Sequence, residues 1–164
     1  MDGLGDLRAA LSAAIKDITP EQLAYRKKGK WSSAEILEHL NLTYIGTAKS
    51  LSRCLASGSL RTSDGRRTGW AQRLVTLTLG YFPPGRKSPE RAIPRGTPCE
   101  QVMAEIMQNL ATMEEVIKEC EGRFGDRPLA NHPALGPLTA SEWRKFHVVH
   151  GKHHARQILR RRQN

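Results

Sequence analysis

Leu4, Leu7, Leu11, Ala14, Ile15 and Ile18 recur at spacings of three and four residues, a stripe that predicts a first amphipathic helix near residues 4–18. Pro20 follows, with Thr19 placed to cap whatever comes next, and residues 21–30, with Tyr25 and the run Arg26-Lys27-Lys28-Gly29-Lys30, read as a polar connector. The second helix has the clearest start. Ser32 is a natural N-cap, Glu35 three residues later completes a capping box, and Trp31 before the cap can staple onto Ile36. Ile36, Leu40, Thr43, Tyr44, Thr47, Ala48, Leu51 and Leu55 continue one stripe toward Gly58 and predict a helix over 32–56. A third stripe, Val102, Ile106, Leu110, Met113, Val116, Ile117 and Cys120, follows Thr97 as N-cap, Pro98 at the first helical position and Glu100 in the first turn. It predicts a helix over 98–121, ended by Gly122 or Gly125. Thr139-Ala140-Ser141-Glu142 places a capping box directly before Trp143 and opens a fourth helix over 140–161.

Between these stripes the rhythm breaks. From Gly58 to Pro98 glycines are joined by prolines, and Trp70, Leu74, Leu77 and Tyr81 predict one short helix near 68–81 that Pro83-Pro84 must stop. A connection of this length with its own helix is expected to serve as a cover or binding loop over one end of a bundle. Residues 126–138 form a second loop containing proline and glycine, and no stretch sustains the two-residue alternation of a strand. The expected fold is all-α: a four-helix bundle with a long crossover, carrying the short extra helix, between helices two and three. A single domain over residues 1–164 is long enough to bury one core.

Composition narrows the surroundings. A hydrophobic content of 38% with 5% aromatics suits a soluble helical protein. The longest apolar stretch, Leu74 to Phe82, is interrupted and falls short of the ~20 residues of a membrane span. Met1-Asp2-Gly3-Leu4-Gly5-Asp6 lacks the basic start and apolar run of a secretory signal, so a cytoplasmic location is expected. Cys54, Cys99 and Cys120 are odd in number, far apart and in no CxxC pattern, which predicts reduced packing thiols rather than disulfides or a zinc knuckle.

The net charge of +10 raises nucleic acid as a partner. The basic residues gather at Arg61, Arg66, Arg67, Arg73, Arg86, Lys87, Arg91 and Arg95 and at Arg160-Arg161-Arg162, whereas Glu100, Glu105, Glu114, Glu115, Glu119 and Glu121 make the third helix acidic. No aromatic-rich RNA-binding signature and no zinc finger accompanies the charge. Arg61, Arg66, Arg67 and Arg73 are therefore expected to face solvent and at most to attract an acidic substrate group. The expected partners are a small-molecule substrate and a second copy of the chain as a homodimer, with neither a membrane nor nucleic acid.

The candidate chemistry lies in the last helix, where four of six histidines fall between His147 and His154. At about 100° per residue, Trp143, His147, His150, His154, Gln157 and Ile158 share an arc of roughly 100°, while Lys145, Lys152, Arg156 and Arg160 point the other way. His153 lies off this face and is expected in solvent. Three imidazoles thus share the apolar face, and each needs a partner because an unpaired buried polar group costs about 1–3 kcal/mol. Glu35, Gln157 or backbone groups could supply such partners, and a divalent metal would satisfy several rings at once. His39, at the edge of the second stripe, can reach the interior near the start of its helix.

Trp31-Ser32-x-x-Glu35-Ile36-Leu37-x-His39-Leu40, the loop His132-Pro133-x-Leu135-Gly136-x-Leu138-Thr139, the Glu142-Trp143 start and His150-x-x-x-His154-x-x-Gln157-Ile158 together resemble the DinB/YfiT-like superfamily of metalloenzymes. The resemblance covers nearly the whole chain and implies a four-helix bundle in which His39, His150 and His154 bind a divalent metal, commonly nickel or zinc. Chemistry is compatible with this, since two histidines four residues apart on a helix can approach one ion at about 2.0–2.1 Å. A three-histidine set leaves a position open, the pattern of catalytic rather than structural sites. His147 could be a fourth ligand, a proton shuttle or a donor to a ligand; Gln157 could hold a ligand tautomer or a metal-bound water; Glu35, one turn before His39, could be a base or an acceptor. Some members of the superfamily are thiol-dependent S-transferases and others resemble hydrolases. The first functional expectation is a metal-dependent transferase or hydrolase, with a low-molecular-weight thiol as candidate cosubstrate. The fourth helix lacks an acid beyond Glu142 at its cap, which favours a thiolate over water as nucleophile. The alternative is a non-enzymatic binding protein that uses its basic surface, with the metal structural or absent.

Overall fold

The structure, a computed structural model, describes residues 3–58, 77 and 88–162. Its elements are helices α1 (Gly3–Ile15), α2 (Pro20–Ala24), α3 (Ser33–Ser57), α4 (Cys99–Phe124) and α5 (Ala140–Arg162), a 3₁₀ turn at Glu90–Ala92, and strands β1 (Ala130–His132) and β2 (Gly136–Leu138). Four of the helices form the bundle: α3 packs along α4, α1 along α5, and α5 closes against α3 and α4. The fold is all-α, as the hydrophobic stripes predict. No helix among the described residues is long and apolar enough to cross a membrane.

The stripes become the core. Leu4, Leu7, Leu11 and Ala14 of α1 are fully buried against Leu37, Leu40, Leu51, Ile106, Leu110, Met113, Ile117 and Ile158. Burying a leucine or isoleucine side chain contributes roughly 1.5–3 kcal/mol, which drives these elements together. Cys54 and Cys120 are buried free thiols in this core and Cys99 is partly buried, as expected for packing cysteines. At Gly151 of α5 neighbouring side chains come close to the backbone. A Cβ there would stand 2.4 Å from Leu7 Cδ1 and 3.1 Å from Tyr44 Oη, so the missing side chain lets α1 and α3 approach the backbone of α5.

Caps set the two helices that matter most. Ser32 Oγ accepts from the Glu35 amide and Glu35 Oε2 accepts from the Ser32 amide, while Gly58 ends α3 in the left-handed conformation at φ 63°. At the start of α5, Thr139 Oγ1 accepts from the Glu142 amide at 3.2 Å and Glu142 Oε2 from the Thr139 amide at 3.0 Å.

Several boundaries differ from the sequence expectation. Helix α1 stops at Ile15 rather than 18, because Asp17 turns left-handed at φ 55°. The connector after Thr19 begins with a helical turn, α2, closed by a Thr19–Gln22 capping box; five residues are too few to show a helical period. The third helix runs on to Phe124, with Gly125 as its C-cap at φ 58°. Thr97 does not cap α4: Pro98 holds the N-cap position and the Thr97 hydroxyl donates to Glu38 instead. The 126–138 loop contains a hairpin, Ala130 opposite Leu138 and His132 opposite Gly136, whose three-residue strands are too short for alternation to register. The short helix expected near 68–81 lies outside the described residues except at Leu77, which packs on the core. Arg61, Arg66, Arg67 and Arg73 also lie outside them.

Candidate metal centre

The Ser32 cap fixes the start of α3, and about two turns later His39 enters the bundle interior. The Thr139–Glu142 cap fixes α5, which brings His150 and His154 to the same level. His39 and His150 are 3% exposed and His154 is 9% exposed. His39 Nε2 lies 3.1 Å from His150 Nε2, and His154 Nε2 lies 3.0 Å from the same atom. The three donor nitrogens all fall within 4.8 Å of one another, a group that could hold a metal ion.

Proton counting tests the fit. His39 Nδ1 donates to the Ala92 carbonyl at 2.7 Å and His154 Nδ1 donates to Gln157 Oε1 at 2.8 Å, the tautomers that these acceptors require. In a neutral ring with Nδ1 protonated, Nε2 carries a lone pair. His150 Nε2 therefore faces two lone pairs, and a proton on it serves one of them and leaves the other contact repulsive. A cation answers all three. Tetrahedral nitrogens about 2.0–2.1 Å from zinc stand about 3.3–3.4 Å apart, a few tenths of an ångström beyond the separations observed here. The donor set thus fits a divalent ion of that class.

Electrostatics favours the same state. Burial pushes His154 down to about 3, with His39 adding to the effect. Burial, then His154 and His39, hold His150 well below the ordinary histidine range. Burial also lowers His39, against the opposing Ala92 hydrogen bond. All three rings are neutral near pH 7, the protonation state that ligates. Phe146 stacks on His150 at 5.1 Å and 15°, and Trp31 packs 5.0 Å from His39, so aromatic surface walls two of the rings.

The remaining candidates divide. Gln157 joins the centre through His154, and its Nε2 donates to His153 Nε2 at 3.0 Å. His153 is consequently half-buried rather than free in solvent, a correction to the sequence expectation: Gln157 follows His153 by four residues and His154 by three, so one side chain reaches both. His147 stays out of the three-histidine group. Its Nε2 pairs with Thr47 Oγ1 at 2.9 Å, and Trp143, Tyr44 and Phe146 surround its ring. Burial pushes His147 down to about 3. Glu35 is committed to the Ser32 cap and to an ion pair with Arg26.

The sequence reading missed Glu38 and gave His132 no role beyond its place in the His132–Thr139 loop. Glu38, buried beside His39, accepts hydrogen bonds from residues 95–97; nothing in the local sequence announces partners so distant. His132 accepts the Ala134 amide at 3.1 Å and the Leu135 amide at 3.2 Å on Nδ1, and packs on Phe146 at 4.3 Å. Its placement before Pro133 in a tight loop was the available signal. Burial, then the nearby Arg91 charge, push it down to about 4.

No curated protein and no solved structure matches the chain. A family model described as DinB superfamily matches residues 4–158, a span that begins at the first core leucine and includes all three converging histidines. The chain belongs to the DinB superfamily.

Proposed function

We propose that this protein is a metal-dependent enzyme in which His39, His150 and His154 hold a divalent ion, nickel or zinc, for a reaction between a low-molecular-weight thiol and a small-molecule substrate. The observation that carries the reading is the meeting of three buried Nε2 atoms, two of them on rings whose Nδ1 protons are already given to Ala92 and Gln157. When bound, the ion would supply a positive charge and an open position at which a thiol loses its proton near neutral pH.

The protein's own groups set up the rest. Ala92 and Gln157 hold His39 and His154 in the ligating tautomer, and Trp31 and Phe146 shield His39 and His150 from water. His147, tied to Thr47, holds α5 against α3 rather than ligating. Thiol transfer is favoured over hydrolysis because water needs a general base and the acids at these helix starts are occupied. Glu35 serves the Ser32 cap, Glu38 binds residues 95–97, and Glu142 serves the Thr139 cap. A thiolate needs no such base.

Elemental analysis of protein purified without a histidine tag or nickel column tests the centre, with about one nickel or zinc ion per chain expected. Thiol consumption in the presence of electrophilic small molecules, abolished by chelation and restored by the ion, tests the reaction. Protein that neither carries nor takes up either metal sinks the reading.

A further inference from the structure

Helix α3 grips the returning end of the crossover with two consecutive side chains. Glu38 is 3% exposed, and both its oxygens are filled. Oε1 accepts the Arg95 amide at 2.9 Å, the Thr97 amide at 3.2 Å and the Thr97 hydroxyl at 2.6 Å, and Oε2 accepts the Gly96 amide at 3.1 Å. Gly96, at φ 85°, supplies the left-handed step that lets three successive amides converge on one carboxylate. Burial pushes the Glu38 carboxyl up, but the Thr97 hydroxyl and these amides outweigh it and hold it below its ordinary value, so the group is charged. A buried charge is costly unless paired in this way.

The next residue is His39, whose Nδ1 donates to Ala92 O at 2.7 Å. Ala92 ends the 3₁₀ turn, closed by the Ala92 amide on Pro89 O at 2.8 Å and the Ile93 amide on Glu90 O at 3.2 Å. Only Ile93 and Pro94 separate Ala92 from the first residue that Glu38 holds, and the proline ring fixes one of the few torsions in between. The carbonyl that orients His39 is therefore on a short tether whose far end is the Glu38 carboxylate.

We propose that Glu38 is a positioning residue for the metal centre: by anchoring Arg95–Thr97 it keeps the Ala92 carbonyl on His39 Nδ1, and so keeps the His39 Nε2 lone pair facing His150. The inference rests on the metal reading above for its consequence, although its immediate effect, the tautomer of His39, exists without metal. Glu38 touches neither the ion nor a substrate; it acts through the backbone between Ala92 and Arg95–Thr97.

The test uses the full chain with Glu38→Ala, Glu38→Gln and Thr97→Ala, and Leu110→Ala as a variant destabilised elsewhere in the core. Nitrogen NMR on histidine-labelled, metal-free protein reads the His39 tautomer, and competition with a chromophoric chelator reads zinc affinity. Glu38→Ala is expected to populate the Nε2-protonated form of His39 and to weaken zinc binding by about 10–100-fold, the usual cost of losing support behind a ligand. Thr97→Ala and Glu38→Gln, which each keep part of the knot, should shift both readouts less, and Leu110→Ala should shift neither. If Glu38→Ala does not fold, those two partial variants carry the test with the same signs. An unchanged His39 tautomer in every Glu38 and Thr97 variant overturns the proposal, as does an equal change in Leu110→Ala. Failure of the wild-type protein to bind either zinc or nickel would instead overturn the metal reading, while the tautomer measurement still decides the role of Glu38.

Discussion

His147 and His150 stand one turn apart on the same buried face of α5, yet His147 Nε2 pairs with Thr47 Oγ1 at 2.9 Å whereas His150 Nε2 faces the nitrogens of His39 and His154. Helix α3 makes the difference. Opposite His147 it offers a hydroxyl, which can give or accept a proton and so satisfies His147 Nε2, while Nδ1 of that ring lies buried with no hydrogen-bond partner among the described residues. Opposite His150 it offers another imidazole with its Nδ1 proton already committed to Ala92. Burial alone therefore does not make a ligand: a histidine is left needing a cation where its neighbours have lone pairs and no proton to share.

The sharpest way to break that comparison is to remove one ring from each layer. His154→Ala should lower zinc or nickel affinity by orders of magnitude, while His147→Leu, which has no polar atom, should keep the ion and lose about 1–3 kcal/mol of folding stability by orphaning Thr47 in the interior. Elemental analysis and denaturant unfolding on the two variants read these outcomes. Equal metal loss in both would place His147 in the centre after all.

Acid probes the buried histidines outside the triad next. His132 and His147 have folded values near 4 and 3, below the ordinary 6.5, so below pH 6.5 the unfolded chain binds protons that the folded one refuses. Stability is then fully present above pH 6.5 and falls as pH drops toward about 4, by at most ~1.4 kcal/mol per pH unit for each group. His132→Asn, whose side-chain oxygen can still accept the Ala134 and Leu135 amides, should shallow that slope by about one proton. Urea unfolding of metal-free protein between pH 7 and 4.5 measures it, and an identical slope in the variant would remove His132 from the account.

Smaller effects sharpen the outer boundary of the centre. Gln157→Leu deletes the acceptor on His154 Nδ1 and should weaken metal binding about tenfold. His153→Ala removes only the residue that Gln157 leans on and should cost a few-fold at most. If His153→Ala costs as much as His154→Ala, the ring read as a support is a ligand. Chelator competition ranks the three.

How much of this could be read beforehand follows from how far each signal travels along the chain. The Ser32–Glu35 and Thr139–Glu142 caps act within four residues, and the leucine stripes repeat over many turns, so the four bundle helices were legible. So was the candidate triad, through the spacing of His150 and His154 and the resemblance that added His39. Helix α2 and the hairpin strands are shorter than any period that could announce them. Thr97 looked like a cap because its sequence neighbourhood is right for one; a carboxylate fifty-nine residues away claimed its hydroxyl. The same long reach hid Glu38, and the Gln157 bridge hid the burial of His153.

Gly151 lies between His150 and His154, with Leu7 pressed where its side chain would be. The N-terminal helix therefore acts as a backstop immediately behind the two imidazoles contributed by α5. Trimming residues 3–15 would strip Leu4, Leu7 and Leu11 from the core and unfold the bundle, whereas Leu7→Ala alone should leave it folded and let water reach the reverse side of α5, which faster exchange of the Gly151 amide would report.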